Sequence, residues 1–224
     1  PSESLLPQDA PWVVIKFGGT SVSTRPRWDN IASIAASHQA AGKRVLIVVS
    51  ALSGITDLLK AIGEAQADPG RCVELRNVIV ACHHALFGEM GLPRRNGVDA
   101  WMAKLDQLLA DPRRNGGELD WQAEVLALGE LTSSTLGAAY LNSLGLTTHW
   151  LDSRECLRAE ALPNQAEWGR WLSASVRVRH DPATASALAG RGNVFIAQGF
   201  IARSGESATA VLGRGGSDTS AAYF

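Results

Sequence analysis

Residues 12–50 read WVVIKFGGTSVSTRPRWDNIASIAASHQAAGKRVLIVVS. Trp12 to Phe17 is a short run rich in β-branched residues that ends on Gly18-Gly19, the pattern of a buried strand entering a tight turn. From Trp28 to Ala41 the residues Ile31, Ile34 and Ala35 recur at helical spacing, and Gly42 stands where a helix closes on a left-handed residue. Arg44 to Ser50 is a second apolar run, short enough for a fully buried strand. Strand, helix and strand in this order form a βαβ unit. Two parallel strands need a crossover that covers one face of the sheet, so the unit predicts a parallel sheet with helices on both sides. The expected fold class is α/β, a three-layer αβα sandwich with a mainly parallel sheet.

The rest of the chain extends that pattern in both directions. Residues 1–11 (PSESLLPQDAP) hold three prolines and no period, and read as a leader or linker. Residues 54–64 open as a helix. A long helical region follows over 71–90, 98–110 and 117–144, punctuated by Pro69, Pro93 and Pro112. Residues 146–152 and 193–198 return as strands. Between them lies a mixed zone, with Val176 and Val178 alternating and a short helix after Pro182. Residues 208–212 form a further strand, then a glycine-rich turn, then a helix start over 217–224. A helix of about eight residues is marginal by itself. The expectation is therefore that the chain is part of a larger polypeptide.

Composition excludes several classes. A chain of 224 residues with 46% hydrophobic and 19% charged residues buries a real core and is not a disordered segment. With 21 basic against 22 acidic residues, the net charge of −1 gives no electrostatic case for a nucleic-acid or membrane-surface binder. Apolar runs such as Val45–Val49 fall far short of the roughly 20 residues that span a bilayer. No secretory pattern opens the chain. Cys72, Cys82 and Cys156 include no CxxC pair, and the histidines (38, 83, 84, 149 and 180) do not bracket them at zinc-ligand spacing. Free thiols in a reducing cytoplasm and no metal site are the expectation. His83 and His84 point about 100° apart on a helix, so one of them turns inward.

Four constellations carry possible chemistry. Lys16-Phe17-Gly18-Gly19-Thr20-Ser21 sets a point charge and two glycines at the carboxyl end of the first strand, where open α/β sheets place their ligands. This is neither a Walker A loop nor GxGxxG, and a structural turn explains it about as well. Ser50 to Asp57 (SALSGITD) offers hydroxyls and amides just before a helix, but Ser53 or Thr56 as an ordinary helix cap is the plainer reading. Gly213-Arg214-Gly215-Gly216-Ser217-Asp218 places a guanidinium on a glycine turn, the make-up of a carboxylate or phosphate clamp. The alternative is a flexible turn with Asp218 as cap. Gly129-Glu130-Leu131-Thr132-Ser133-Ser134 sets one carboxylate in an apolar helix, where burial is expensive and surface exposure is the usual outcome. The neighbouring glycine points to close approach of a ligand.

In combination and in this order, the motifs KFGGTS (16–21), SALSGIT (50–56), GEL (129–131), LDSRE (151–155), AQGFI (197–201) and GRGGSD (213–218) resemble the aspartate kinases of the amino acid kinase family, from Trp12 to Phe224. The resemblance implies the amino acid kinase fold. It also implies transfer of the ATP γ-phosphoryl group, with Mg²⁺, to the β-carboxylate of L-aspartate. By the same resemblance Lys16 stabilises the transferring charge, and Gly18, Gly19, Thr20 and Ser21 line the phosphate path. Ser50 and Thr56 touch the aspartate, Glu130 takes its α-amino group and Arg214 its α-carboxylate. Ser217 adds a hydrogen bond, and Asp218 orients Lys16 or the ammonium. The helix motif reads GELTS where many relatives have GERLS. In the family the nucleotide-binding half and the regulatory domains follow GRGGSD, so this portion alone is expected to be inactive. The residues before Trp12 are similar to forms fused with diaminopimelate decarboxylase, and assembly as a homo-oligomer is implied for the full-length parent. Two rival readings stand beside this one: another phosphotransferase of the same fold, and a non-catalytic amino-acid-binding portion.

Overall fold

The computed structural model describes residues 4–92, 97–176, 182–205 and 207–224. In chain order the elements are β1 (Trp12–Phe17), α1 (Arg25–Ala40), β2 (Arg44–Val49), α2 (Ile55–Glu64), α3 (Pro69–Met90), α4 (Val98–Ala110), the single turn α5 (Arg113–Gly116), α6 (Leu119–Ser143), β3 (His149–Leu151), the turn α7 (Ser153–Cys156), β4 (Ala159–Glu160), α8 (Glu167–Leu172), β5 (Ser175–Val176), α9 (Pro182–Ala189), β6 (Val194–Gln198), β7 (Ile201–Ser204), β8 (Ala208–Val211) and α10 (Gly216–Tyr223). A 3₁₀ turn, Gly19–Val22, links β1 to α1. Val178, His180 and Pro93 lie outside the described residues.

The main sheet has the order β1-β2-β6-β3, with every pairing parallel. β2 is buried along its whole length because both its faces are covered. Val45, Ile47 and Val49 pack with Ile31 of α1, Ile55 of α2 and Leu131 of α6. Leu46 and Val48 face the other way, onto Leu188 of α9, Phe195 of β6 and Ala221 of α10. This is the three-layer α/β sandwich that the opening βαβ unit predicts. Two small antiparallel pairs, β4–β5 and β7–β8, flank it. No helix of the described residues is long and apolar enough to cross a membrane.

Several boundaries differ from the sequence reading. α1 begins at Arg25 rather than Trp28, because Pro26 in the first turn loses no helical hydrogen bond there. β3 spans three residues instead of the expected 146–152. Its approach is bound by the end of α6: the Asn142 amide donates to the Thr148 carbonyl at 2.8 Å and accepts the Thr148 N–H at 3.1 Å. Residues 4–11 pack against the fold rather than trailing from it. The Leu6 N–H donates to Asn193 Oδ1 (2.9 Å), Asn193 Nδ2 donates to the Ser4 carbonyl (3.0 Å), and the buried Arg44 guanidinium donates to the carbonyls of Leu6 and Pro7, both at 2.8 Å. His83 is buried and His84 partly exposed, as helical geometry requires.

Candidate active site

Side chains alternate along a strand. Val13, Ile15 and Phe17 therefore pack into the α1–α6 layer, while Trp12, Val14 and Lys16 face the layer that contains α10. Lys16 lies opposite Val48 near the carboxyl end of β1. There its Nζ meets Asp218 Oδ1 of α10 at 2.8 Å. Ser50 follows β2 immediately, and its hydroxyl donates to Ser217 Oγ at 3.0 Å. A cavity of about 250 Å³ opens at these strand ends, lined by Lys16, Ser50, Thr56, Glu130, Phe200 and the run Gly213–Asp218. Five separate segments of the sequence thus converge on the place where parallel sheets bind ligands.

Glu130 departs most from expectation, because it is buried instead of lying at the surface. Its Oε1 accepts the Ala51 N–H at 3.1 Å, while its buried Oε2 has no partner among the described residues. Burial pushes the carboxyl up to about 8, with the Ala51 N–H opposing that shift. Burial thus favours the protonated form of Glu130. Gly129 serves a different contact from the one anticipated. A Cβ there would stand 2.7 Å from the Ala51 Cβ, so the glycine admits the 50–54 loop rather than a ligand. Gly19 does the same from the opposite side, where a Cβ would lie 2.8 Å from the Ala51 carbonyl oxygen. The loop after β2 is held between these two glycines.

Of the sequence-predicted residues, Lys16, Ser50, Thr56, Glu130, Arg214, Ser217 and Asp218 line the cavity together. Gly18 caps the adjacent 3₁₀ turn, which Gly19, Thr20 and Ser21 open, and none of the four is part of that lining. The turn is fixed by the Ser21 N–H donating to the Gly18 carbonyl (2.8 Å) and by Arg27 donating to the Thr20 carbonyl. Neither expected cap forms. α2 begins after Gly54 (φ 80°), and the Ser53 N–H instead donates to Ser23 Oγ (2.8 Å). α10 begins after Gly215 (φ 78°), which leaves Asp218 inside the first turn and free to reach Lys16. Arg214 is exposed at the cavity mouth.

Phe200, within AQGFI, carries no role that the sequence alone indicates. Phe200 lines the cavity with φ 69°, a left-handed conformation that non-glycine residues rarely hold. Its N–H donates to Ser220 Oγ (3.0 Å), and its carbonyl accepts the Leu212 N–H (2.7 Å). Those bonds hold the strained residue in place at the site.

The profile of the amino acid kinase family matches residues 11–224. The chain is 31% identical over 216 residues to lysine-sensitive aspartokinase 3 of Escherichia coli, covering 95% of this chain and 45% of that protein. It is 29% identical over 216 residues to an aspartokinase of Chlamydia muridarum, covering 93% of this chain and 44% of that protein. A crystal structure of E. coli aspartokinase III in complex with aspartate and ADP superposes with a TM-score of 0.79 at 29% identity, covering 95% of this chain and 46% of that one. The chain thus spans less than half the length of these relatives. On its profile, its sheet and the order of its motifs, it belongs to the amino acid kinase family.

Proposed function

We propose that this chain supplies the acceptor-binding part of an aspartate kinase, which moves the γ-phosphoryl group of ATP to the β-carboxylate of L-aspartate. The observation that carries the reading is a single small cavity that combines a buried carboxylate with a free oxygen, an exposed guanidinium at the mouth and a lysine at a strand end. A zwitterionic amino acid needs one anionic and one cationic anchor. Glu130 takes the α-ammonium and Arg214 the α-carboxylate, the latter through two parallel N–H donors. Ser50, Thr56 and Ser217 present hydroxyls to the bound acid.

The acceptor carboxylate is ionised at neutral pH and needs no base. One of its oxygens forms a bond to the γ-phosphorus while the bond from that phosphorus to the β–γ bridging oxygen breaks, so the electron pair leaves with ADP. Lys16, oriented by Asp218, stabilises the charge that spreads over the transferring group. Gly18 and the 3₁₀ turn opened by Gly19, Thr20 and Ser21 border the phosphate path beside Lys16. The described residues include no cluster of three carboxylate, thiol or imidazole groups able to hold a metal ion. The Mg²⁺ expected with ATP would neutralise charge on the phosphates. The same reading carries a cytoplasmic location, where ATP and L-aspartate meet, and assembly of the full-length polypeptide as a homo-oligomer.

Arg214→Ala tests the reading in the full-length polypeptide. The expected result is a KM for aspartate raised on the order of a hundredfold, as for loss of a charged hydrogen-bond pair, with the KM for ATP unchanged. An unchanged aspartate KM removes the assignment.

A further inference from the structure

Ser133 lies three residues beyond Glu130, on the same face of α6, and is fully buried. The hydroxyls around it bond within their own helix. Thr132 donates to the Leu128 carbonyl (2.6 Å), Ser134 to the Leu131 carbonyl (3.1 Å) and Thr135 to the Leu131 carbonyl (2.8 Å). Ser133 instead makes its short bond away from the helix, donating to the Ser50 carbonyl at 2.7 Å, while its own helix offers only the Glu130 carbonyl at 3.4 Å.

The Ser50 carbonyl and the Ala51 N–H belong to one peptide bond. Ser133 binds its oxygen, and Glu130 Oε1 binds its N–H at 3.1 Å. A peptide unit is planar, so fixing both ends fixes the plane. Gly129 lets α6 come close enough for this contact, as the 2.7 Å distance from its missing Cβ to the Ala51 Cβ requires. The held peptide has two consequences at the cavity. It sets the Ser50 hydroxyl against Ser217, and it holds one oxygen of Glu130 so that the other is left for the ligand.

We infer that Ser133 is a positioning residue for the acceptor. By holding the Ser50 carbonyl it fixes the 50–51 peptide, and that peptide fixes the carboxylate which receives the substrate ammonium. The inference rests on the acceptor reading proposed above and adds to it a side chain that never touches substrate.

The test is calorimetric titration of L-aspartate into the wild type, Ser133→Ala, Ser133→Cys and Glu130→Gln, with thermal unfolding measured on each. Loss of one buried hydrogen bond predicts affinity about five- to tenfold weaker in Ser133→Ala. Ser133→Cys has nearly the same shape and only a weak S–H donor, and is expected to fall between. In the full-length polypeptide the same variants raise the aspartate KM and leave the ATP KM within about twofold. A merely structural role lowers the unfolding midpoint without this ordering in aspartate affinity. Wild-type affinity in Ser133→Ala overturns the inference. If Glu130→Gln nevertheless weakens binding, the acceptor reading stands without the clamp; if it does not, both fall. Should Ser133→Ala fail to fold, Ser133→Cys decides by the same criterion.

Discussion

Two concavities among the described residues differ in character. The larger, about 780 Å³, lies between α4, α6 and β3 and is walled by Trp101 and Trp150. Its polar groups are bonded to the protein itself: Trp101 Nε1 donates to Thr135 Oγ1 and Trp150 Nε1 to Ser134 Oγ, both at 2.9 Å, and Lys104 pairs with Glu124 at 3.3 Å. The smaller, about 250 Å³, keeps a buried carboxylate oxygen without a partner, an exposed arginine and a non-glycine residue in a left-handed conformation. Unsatisfied buried polar groups and backbone strain are both unfavourable, and the surrounding fold has to hold them in place. Polar capacity left open, rather than volume, is what sets the smaller cavity apart.

Lys16→Met is the severest way to probe that contrast. Removing the cation from the smaller cavity is expected to lower kcat of the full-length polypeptide by roughly a hundred- to a thousandfold, the range for losing one electrostatic donor to a transition state. Aspartate affinity is expected to stay within a few-fold. A kcat close to wild type contradicts the role given to Lys16.

A subtler probe uses protons. Glu130 has its pKa raised in the folded protein to about 8 from an ordinary value of 4.5. The group therefore favours the folded state at low pH, and that contribution fades as pH rises through about 8. Glu130→Gln removes the fade, so the variant's unfolding midpoint should decline less than the wild type's between pH 5 and pH 9. An arriving ammonium ionises Glu130, so aspartate binding near pH 7 should release a proton. Titration in buffers of different ionisation enthalpy measures this directly, and proton uptake would contradict it.

The mildest probe addresses the larger groove. Trp101→Phe removes one indole hydrogen bond and is expected to destabilise the fold by about 1 kcal/mol, with aspartate affinity unchanged within about twofold. A large loss of affinity would break the contrast between the two concavities.

What was legible in the sequence follows the same division. β2 was readable because a strand covered on both faces must be continuously apolar, and Arg44–Val49 nearly is; β1, expected to be buried, is an edge strand and only part-buried along its length. Lys16 and Asp218 were readable as a charge at a strand end and an acid after a glycine turn. The burial of Glu130 was not, because its stabilising donor, the Ala51 N–H, lies 79 positions away in the chain. Local hydropathy places such a carboxylate at the surface. Phe200 was also hidden, since nothing in a phenylalanine announces positive φ, and its two restraints come from Ser220 and Leu212. The packing of residues 4–11 depends on Arg44 and Asn193, which no local pattern links to a proline-rich leader. Short strands such as β4 and β5 have too few residues to show a period.

The most direct measurement compares L-aspartate with succinate, which lacks the amino group, and β-alanine, which lacks the α-carboxylate, by calorimetric titration of this chain at pH 7. A cavity with one anchor for each charge predicts saturable one-to-one binding of L-aspartate and affinities at least about tenfold weaker for both analogues, since each leaves one anchor unpaired. Succinate or β-alanine binding as tightly as L-aspartate, or no aspartate binding by the folded chain, would contradict the account.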